Sequence, residues 1–392
     1  MRNTVDGRVQ LIRYADLTWP DVAALPRRLP LVIPLGEEDY DFDAAARALR
    51  SEAIGLLPPV PYGFSRPSAT IDLAVRPSLL RRVLRGVAQG LHAQGFENVV
   101  FLDGHGVARR ARARGLRFLK GFTRRTSMVP TLPPDLGGRV VVVSTGHTEQ
   151  HGLHLPLETD TRIVAAIGDG LAGVASDRTA VLPPWPYGVS THTRQFAGTL
   201  NLGGRTFEDF FLAIVERLVA GGAQAILFSN GHGGNHSFLV NVVKWAGERW
   251  PGAFVATEWL HTTGPALERH RTSPIGGMGH GGELETSLML HLRPETVHLD
   301  RARPETDFIA TPEYFMDWAE GGRLIANPPW TDDTRSGIYG DPTVATAEKG
   351  RLWLEAAVGE KVDSVGEILE QVRRRAERRA QAAISGSVER GA

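Results

Sequence analysis

Val140-Val141-Val142-Val143 and, two residues on, Gly146-His147-Thr148-Glu149-Gln150-His151-Gly152-Leu153-His154-Leu155-Pro156-Leu157-Glu158-Thr159-Asp160 decide the reading of the chain. The four valines have the β-branched, unbroken apolarity of a strand buried on both faces. The glycines and proline after them stop any regular continuation. A Glu, a His and an Asp therefore follow a buried strand directly, and in open α/β sheets such strand ends are where ligands bind. A structural loop can share this composition, with Glu149 and His151 serving only to cap and hydrogen-bond it.

Two further stretches point the same way. Ala225-Ile226-Leu227-Phe228-Ser229 is a second buried-strand run, and it empties into Asn230-Gly231-His232-Gly233-Gly234-Asn235, whose glycines let backbone approach a ligand. Gly279-His280-Gly281-Gly282-Glu283-Leu284-Glu285-Thr286-Ser287 sets a third polar cluster before the apolar run Leu288-Met289-Leu290.

These three stretches resemble the signature loops of the creatininase family of metal-dependent amidohydrolases, over roughly residues 126 to 370. The resemblance implies a three-layer βαβ sandwich with a mostly parallel central sheet. The family pattern has a Glu and a His flanking one residue, an Asp nine residues after that His, and a His in an Asn-Gly-His loop; Glu149, His151, Asp160 and His232 fill these places. Creatininase itself carries a further metal-binding Glu two residues after the last His, where this chain has Gly234. Relatives with this Gly-Gly version carry a Glu in the third loop, which makes Glu283 the expected replacement.

As the resemblance has it, one ion is held by Glu149, Asp160 and His232 and the other by His151, Asp160 and Glu283. His280 would be the general acid/base. Glu285 would orient it or hydrogen-bond a ligand, and His154 would support the site from behind. Near the active site, His192 and Arg194 in the loop Trp185 to Thr199, and Trp259 after a later strand, are candidates for substrate contact; each is equally at home as an ordinary loop or buried residue.

Composition limits what else the chain can be. Its 392 residues, 42% hydrophobic, suffice for a sizeable core. Lys plus Arg equals Asp plus Glu at 44 each, so no net field favours nucleic acid or an anionic membrane. The absence of cysteine excludes disulfides, thiolate metal sites and a cysteine nucleophile, leaving His and carboxylate to hold any metal. Met1 to Tyr14 has no apolar core run, and no apolar stretch reaches the ~20 residues of a membrane helix. A cytoplasmic protein with a small-molecule or short-peptide substrate is expected, and the resemblance implies a homo-oligomer.

Residues 1 to 125 contain what reads as a smaller α/β repeat. Leu57-Pro58-Pro59-Val60-Pro61-Tyr62-Gly63-Phe64-Ser65 parallels Leu182-Pro183-Pro184-Trp185-Pro186-Tyr187-Gly188-Val189-Ser190, and Val99 to Gly106 parallels Ile226 to Gly233. Between these anchors each half has a helical pattern: Leu79, Leu80, Val83, Leu84, Val87 and Leu91 in one, Phe210, Phe211, Ile214, Val215 and Leu218 in the other. Leu31 to Gly36 matches the strand before the ligand loop, but Asp39 and Asp41 stand where Glu149 and His151 would be. The expectation is a degenerate copy over 1–125 without a metal loop and a catalytic domain over 126–392. His105 is then structural, or joins Asp39, Asp41 and Asp43 in a site of its own. The arginines at 109, 110, 112, 114, 124 and 125 read as a solvated connector, and those from Arg373 to Arg379 as the solvated end of a helix. A second helix is expected from about Ala345 to Val358.

Water attacks an amide poorly at neutral pH. A divalent cation polarises the carbonyl and lowers the pKa of bound water from 15.7 to about 7, and two ions roughly 3.5–4 Å apart can share one hydroxide. Imidazole plus carboxylate suits zinc or manganese. The expected function is hydrolysis of an amide, lactam or formamide C–N bond by two such ions. The alternatives are ring opening of a cyclic ketone or lactone with the same ions, and a binding subunit without catalysis.

Overall fold

Two parallel sheets lie on a shared layer of helices in the computed structural model, which describes residues 9–37, 39–66, 69–111, 114–125, 132–261, 264–318 and 322–388. Met1 to Arg8, Arg112, the side chains of Arg124 and Arg125, and the expected domain boundary just after residue 125 lie outside the described residues.

The first sheet uses strands β1 (Gln10–Arg13), β2 (Leu31–Leu35), β3 (Ala53–Leu56), β4 (Val99–Asp103) and β5 (Phe118–Lys120), in the order β1-β3-β2-β4-β5. The second uses β6 (Val140–Thr145), β7 (Thr179–Val181), β8 (Ala225–Asn230) and β9 (Phe254–Thr257), in the order β7-β6-β8-β9. Every neighbouring pair in both sheets is parallel. The order β3-β2-β4-β5 is therefore that of β7-β6-β8-β9. The repeated Leu-Pro-Pro segments also match, bridging Leu35 to Val60 in one half and Thr145 to Trp185 in the other.

Alternation along β6 explains why the valines serve two layers. Val141 and Val143 face one core with helices α1 (Pro77–Ala93), α3 (Gly204–Ala220) and α4 (His236–Arg249). Val140 and Val142 face a second core with α2 (Thr159–Val174) and α6 (Ala347–Val388). The apolar positions read from sequence in α1 and α3 are all buried, and the two helices pack on each other between the sheets. Their core also takes in Leu31, Ile33 and Leu35 of the first sheet. Across this layer Tyr62 tilts onto Trp185 with ring centroids 5.2 Å apart. The Tyr187 hydroxyl donates to the Pro58 carbonyl at 2.5 Å.

Among the described residues the sheet of the shorter half has five strands and that of the longer half four. One expectation changes. The C-terminal helical stretches are one helix, α6, because its apolar stripe continues through Val365 and Ile368 onto the second core. Its late arginines pair with Glu370 and Glu377 on the exposed surface, as a solvated end requires.

Asp41 caps the helix Phe42–Leu49 by accepting from Ala44 N, and Asp43 accepts from Val9 N. Neither is grouped with His105 in a metal-type cluster among the described residues.

A core common to both halves must melt as one. Phe210→Ala, which removes a ring touching both Tyr62 and Trp185, is expected to cost about 3–5 kcal/mol. Calorimetry should show a single transition moving down, whereas two transitions, only one of them shifted, would mean that the halves are stable independently.

Candidate metal centre

The site lies at the carboxyl ends of β6 and β8. Residues 146–158 leave β6 and lead into α2, whose first turn carries Asp160; β8 delivers His232. Gly146 is needed because a Cβ there would stand 2.4 Å from Cα of Thr161. The loop is tied by Glu149 N to Leu157 O at 2.9 Å, and the first half reaches in to hold it: Leu17 O accepts from Leu157 N at 2.9 Å and Ala15 O from Glu158 N at 3.1 Å.

Hydrogen bonds fix the imidazole tautomers. Nε2 of His232 lies 3.1 Å from Val189 O, and Nδ1 of His151 lies 3.0 Å from Glu149 O. A carbonyl only accepts, so these nitrogens carry the protons, and the opposite nitrogen of each neutral ring shows a lone pair. Nδ1 of His232 then faces Glu149 Oε2 and Asp160 Oδ2, each at 3.0 Å. Nε2 of His151 faces Asp160 Oδ1 at 2.9 Å, with Glu285 Oε1 at 3.9 Å. All these side chains are buried, and Glu149 Oε2 and Asp160 Oδ2 have no hydrogen-bond partner. Electron pairs at such distances repel unless positive charge lies between them. Positive charge is called for on each side of Asp160, and the donor set fits divalent cations.

Charge effects agree. Burial alone would lower His151, but Asp160, Glu285 and Glu149 outweigh it and lift the group to about 9. His232 is driven well above its usual value in spite of burial, by Glu149 and Asp160. Burial raises carboxyl pKa values, yet His232, His280 and His192 hold Glu149 well below the usual range, and His151 and His232 lower Asp160. In the ion-free protein a proton supplies the charge that the geometry asks for.

The expected fifth ligand is corrected. Glu283 opens helix α5 (Glu283–Leu292) but turns away from the cluster: its oxygens accept from Thr272 N, Thr272 Oγ1 and Ser273 N, and it pairs with Lys349. Glu285 instead joins His151 and His280 in one group whose ligand-type atoms lie within 4.8 Å of each other. Burial pushes the Glu285 carboxyl up to about 7, and Oε2 accepts from Gly281 N at 2.5 Å. Gly234 cannot bear a ligand, because its Cβ would stand 2.3 Å from Val189 O and 2.5 Å from Nε2 of His232.

His280 lies in this second group, its Nε2 2.8 Å from Gln150 O, and burial lowers it to about 3. His154 supports α5 through Thr286 Oγ1 at 3.0 Å. His192 reaches the cluster, with Nε2 3.8 Å from Glu149 Oε1. Arg194 does not: it is exposed and donates to Thr191 O. Trp259 is partly exposed against His236, and its carbonyl accepts from Asn230 Nδ2 at 2.8 Å.

Sequence reasoning missed Ser190 and Thr193, whose hydroxyls hold Glu149 Oε1 at 3.1 and 2.6 Å and leave Oε2 for a cation. It also missed Trp330, a buried ring 4.5 Å from His192 and 5.0 Å from His280, centroid to centroid. The only signal for the hydroxyls was their polarity beside His192; for Trp330 there was none.

Comparison with known proteins points to one family. The creatinine amidohydrolase (Creatininase) family model matches residues 15–120 and 129–365. The chain is 33% identical over 238 residues to the mycofactocin precursor peptide peptidase of Mycobacterium ulcerans (strain Agy99), covering 58% of this chain and 83% of that protein. It is 29% identical over 249 residues to the creatinine amidohydrolase of Pseudomonas putida, covering 59% and 90%. A solved structure described as "Creatininase Mn" superposes with a TM-score of 0.50 at 26% identity, over 59% of this chain and 91% of that one.

Two outcomes are expected. Glu285→Ala should lower the divalent ions bound per chain, measured by elemental analysis, whereas Glu283→Ala should leave ion content unchanged and lower the melting temperature by removing the partner of Lys349, whose side chain is only 15% exposed. Cation uptake must also displace the His151 proton. His151 rises from 6.5 to about 9 in the ion-free fold, so its pairing stabilises that fold fully below about pH 6.5 and is lost as pH rises through about 9. Apparent cation affinity should therefore climb with pH across that window, and calorimetry in buffers of different ionisation enthalpy should record proton release at pH 7.

Proposed function

The chain belongs to the creatininase family of hydrolases, and on that premise we propose that it is a two-cation amidohydrolase cleaving a C–N bond in a small molecule or short peptide. One cation would be held by Glu149, Asp160 and His232, the other by His151, Asp160 and Glu285. The observation that carries this reading is the shared carboxylate: Asp160 presents one oxygen to each of two imidazole lone pairs, at 2.9 and 3.0 Å. Zinc and manganese both suit such donors. When bound, the ions polarise the substrate carbonyl and make water acidic enough to attack it near neutral pH.

The chain's own groups do the rest. Ser190 and Thr193 fix one oxygen of Glu149, so the other cannot swing away. His280, with its Nε2 proton on Gln150 O, keeps Nδ1 bare, and burial holds the ring neutral at physiological pH. That nitrogen is the group to take a proton from the attacking water and hand it to the departing nitrogen. His192 and Trp330 wall the cluster and exclude solvent. The relative that is a precursor-peptide peptidase, at 33% identity, supports an amide in a short peptide as a substrate class.

Residues 1–125 are read as a degenerate copy of the same fold that lost the cation loop and kept a structural duty. The shared strand order and the family match over 15–120 support this reading. Its duty is to hold the loop 149–158 through Ala15 and Leu17.

The deciding experiment is a hydrolysis screen of lactams, formamides and short peptides with the cation-loaded chain, using Glu149→Ala as the blank. Turnover in the wild type should fall by at least about 100-fold in that variant. Turnover that persists in it would remove the mechanism.

A further inference from the structure

One buried nitrogen beside the first cation position has no partner: Nε2 of His147. The ring is fully buried and lies over that of His232 at a centroid distance of 4.5 Å. His147, Glu149 and His232 offer atoms within 4.8 Å of one another, so residue type alone would make His147 a fourth ligand. The hydrogen bonding argues otherwise. Gly188 N donates to Nδ1 of His147 at 2.8 Å. A backbone N–H can only donate, so Nδ1 shows its lone pair and the neutral ring keeps its one proton on Nε2. A protonated nitrogen has no electron pair for a cation.

This assignment is built into the backbone. Asn235 clamps the loop of Gly188 onto the end of β6: its Oδ1 accepts from Val189 N at 3.0 Å and its Nδ2 donates to Gly146 O at 3.2 Å. Gly188 N thus meets His147 from a fixed place, on the residue that follows Gly146. The Nε2 proton is left inside the protein, and neither orphaned carboxylate oxygen, Glu149 Oε2 nor Asp160 Oδ2, accepts it. A buried donor in that state is unfavourable, so a site that retains one gains when an acceptor arrives.

We propose that His147 is a preset hydrogen-bond donor within the first cation position, and that its Nε2–H holds an oxygen of the bound substrate. The acceptor is a carbonyl oxygen, or the oxyanion it becomes, in the space bordered by His147, Glu149 and His232. This rests on the two-cation reading above and assigns one more group to it. A donor already aimed before the reaction strengthens as negative charge builds on that oxygen and needs no reorganisation then, which is worth about 10²–10³ in kcat for one such donor.

The test uses the full chain loaded with cation and acetohydroxamate, a small probe that presents a carbonyl oxygen. His147→Leu should keep the wild-type ion content and bind the probe about tenfold or more weakly, the loss of one hydrogen bond to a charged group. His147→Gln, which retains an N–H donor, should recover part of that affinity. Nitrogen-15 NMR of the ion-free wild type should find the His147 proton on Nε2 and Nδ1 bare, a measurement that needs no variant to fold. The proposal is overturned by the loss of an ion from His147→Leu, which would make the residue a ligand, by unchanged probe affinity in that variant, or by a proton on Nδ1. A wild-type chain that takes up no divalent cation overturns instead the two-cation reading, and with it this one; ion content reveals that before any variant is compared.

Discussion

Asp160 faces an imidazole nitrogen on each side, and the rest of the site is arranged around the positive charge that this calls for. Its two oxygens meet Nε2 of His151 and Nδ1 of His232, both buried; hydrogen bonds on the far side of each ring leave a lone pair at these nitrogens when the rings are neutral, and a proton fills that place when no cation does. In a medium of low polarity such an arrangement is unfavourable until charge is added. The fold holds it because the groups that fix each ring, Glu149 O and Val189 O, are backbone atoms in loops tied to strand ends. Stability is thereby exchanged for a preset charge deficit, the usual condition of a functional site.

Much of the fold was legible from the sequence. Unbroken apolar runs suit strands buried on both faces, as in a parallel sheet, and Val140 to Val143 and Ala225 to Phe228 alternate between two cores. Every residue read into the apolar stripes of α1 and α3 is buried, and Ala88, Phe207 and Leu212 join the same core. What the patterns could not give is which surfaces meet: nothing local in α1 says that its apolar stripe packs on α3 from the other half. The extent of α6 was hidden for a related reason. Its late apolar positions are sparse among arginines, and only the face of β6 and β8 makes Val365 and Ile368 a continuation.

The ligand set divides along the same line. Glu149, His151 and Asp160 lie within a single loop, so spacing places them together, and His232 follows a strand adjacent to theirs in the sheet. Glu283 and Glu285 are two residues apart on one helix, about 200° around its axis, so only one can face a given cluster. The choice is made by residues remote in sequence: Thr272, Ser273 and Lys349 satisfy Glu283, while Gly281 N orients Glu285. A charge-pairing partner 66 residues away leaves no mark on the local motif.

The first half is tied to the second through the layer of helices between the sheets. A loop at the end of a strand contributes little to that layer and is free to vary in sequence; Asp41, in the stretch after β2, serves as a helix cap. The helices beneath it have no such freedom. Leu79, Leu80, Val83 and Phe210 share one core with both sheets, and Tyr187 is bonded to Pro58 across it. Removing the first half would bare that apolar layer and would also withdraw Ala15 and Leu17 from the backbone of Leu157 and Glu158, two residues before Asp160. The side chains of the cluster therefore depend for their position on a half with no cation cluster among its described residues, through the shared core and through the backbone bonds of Ala15 and Leu17.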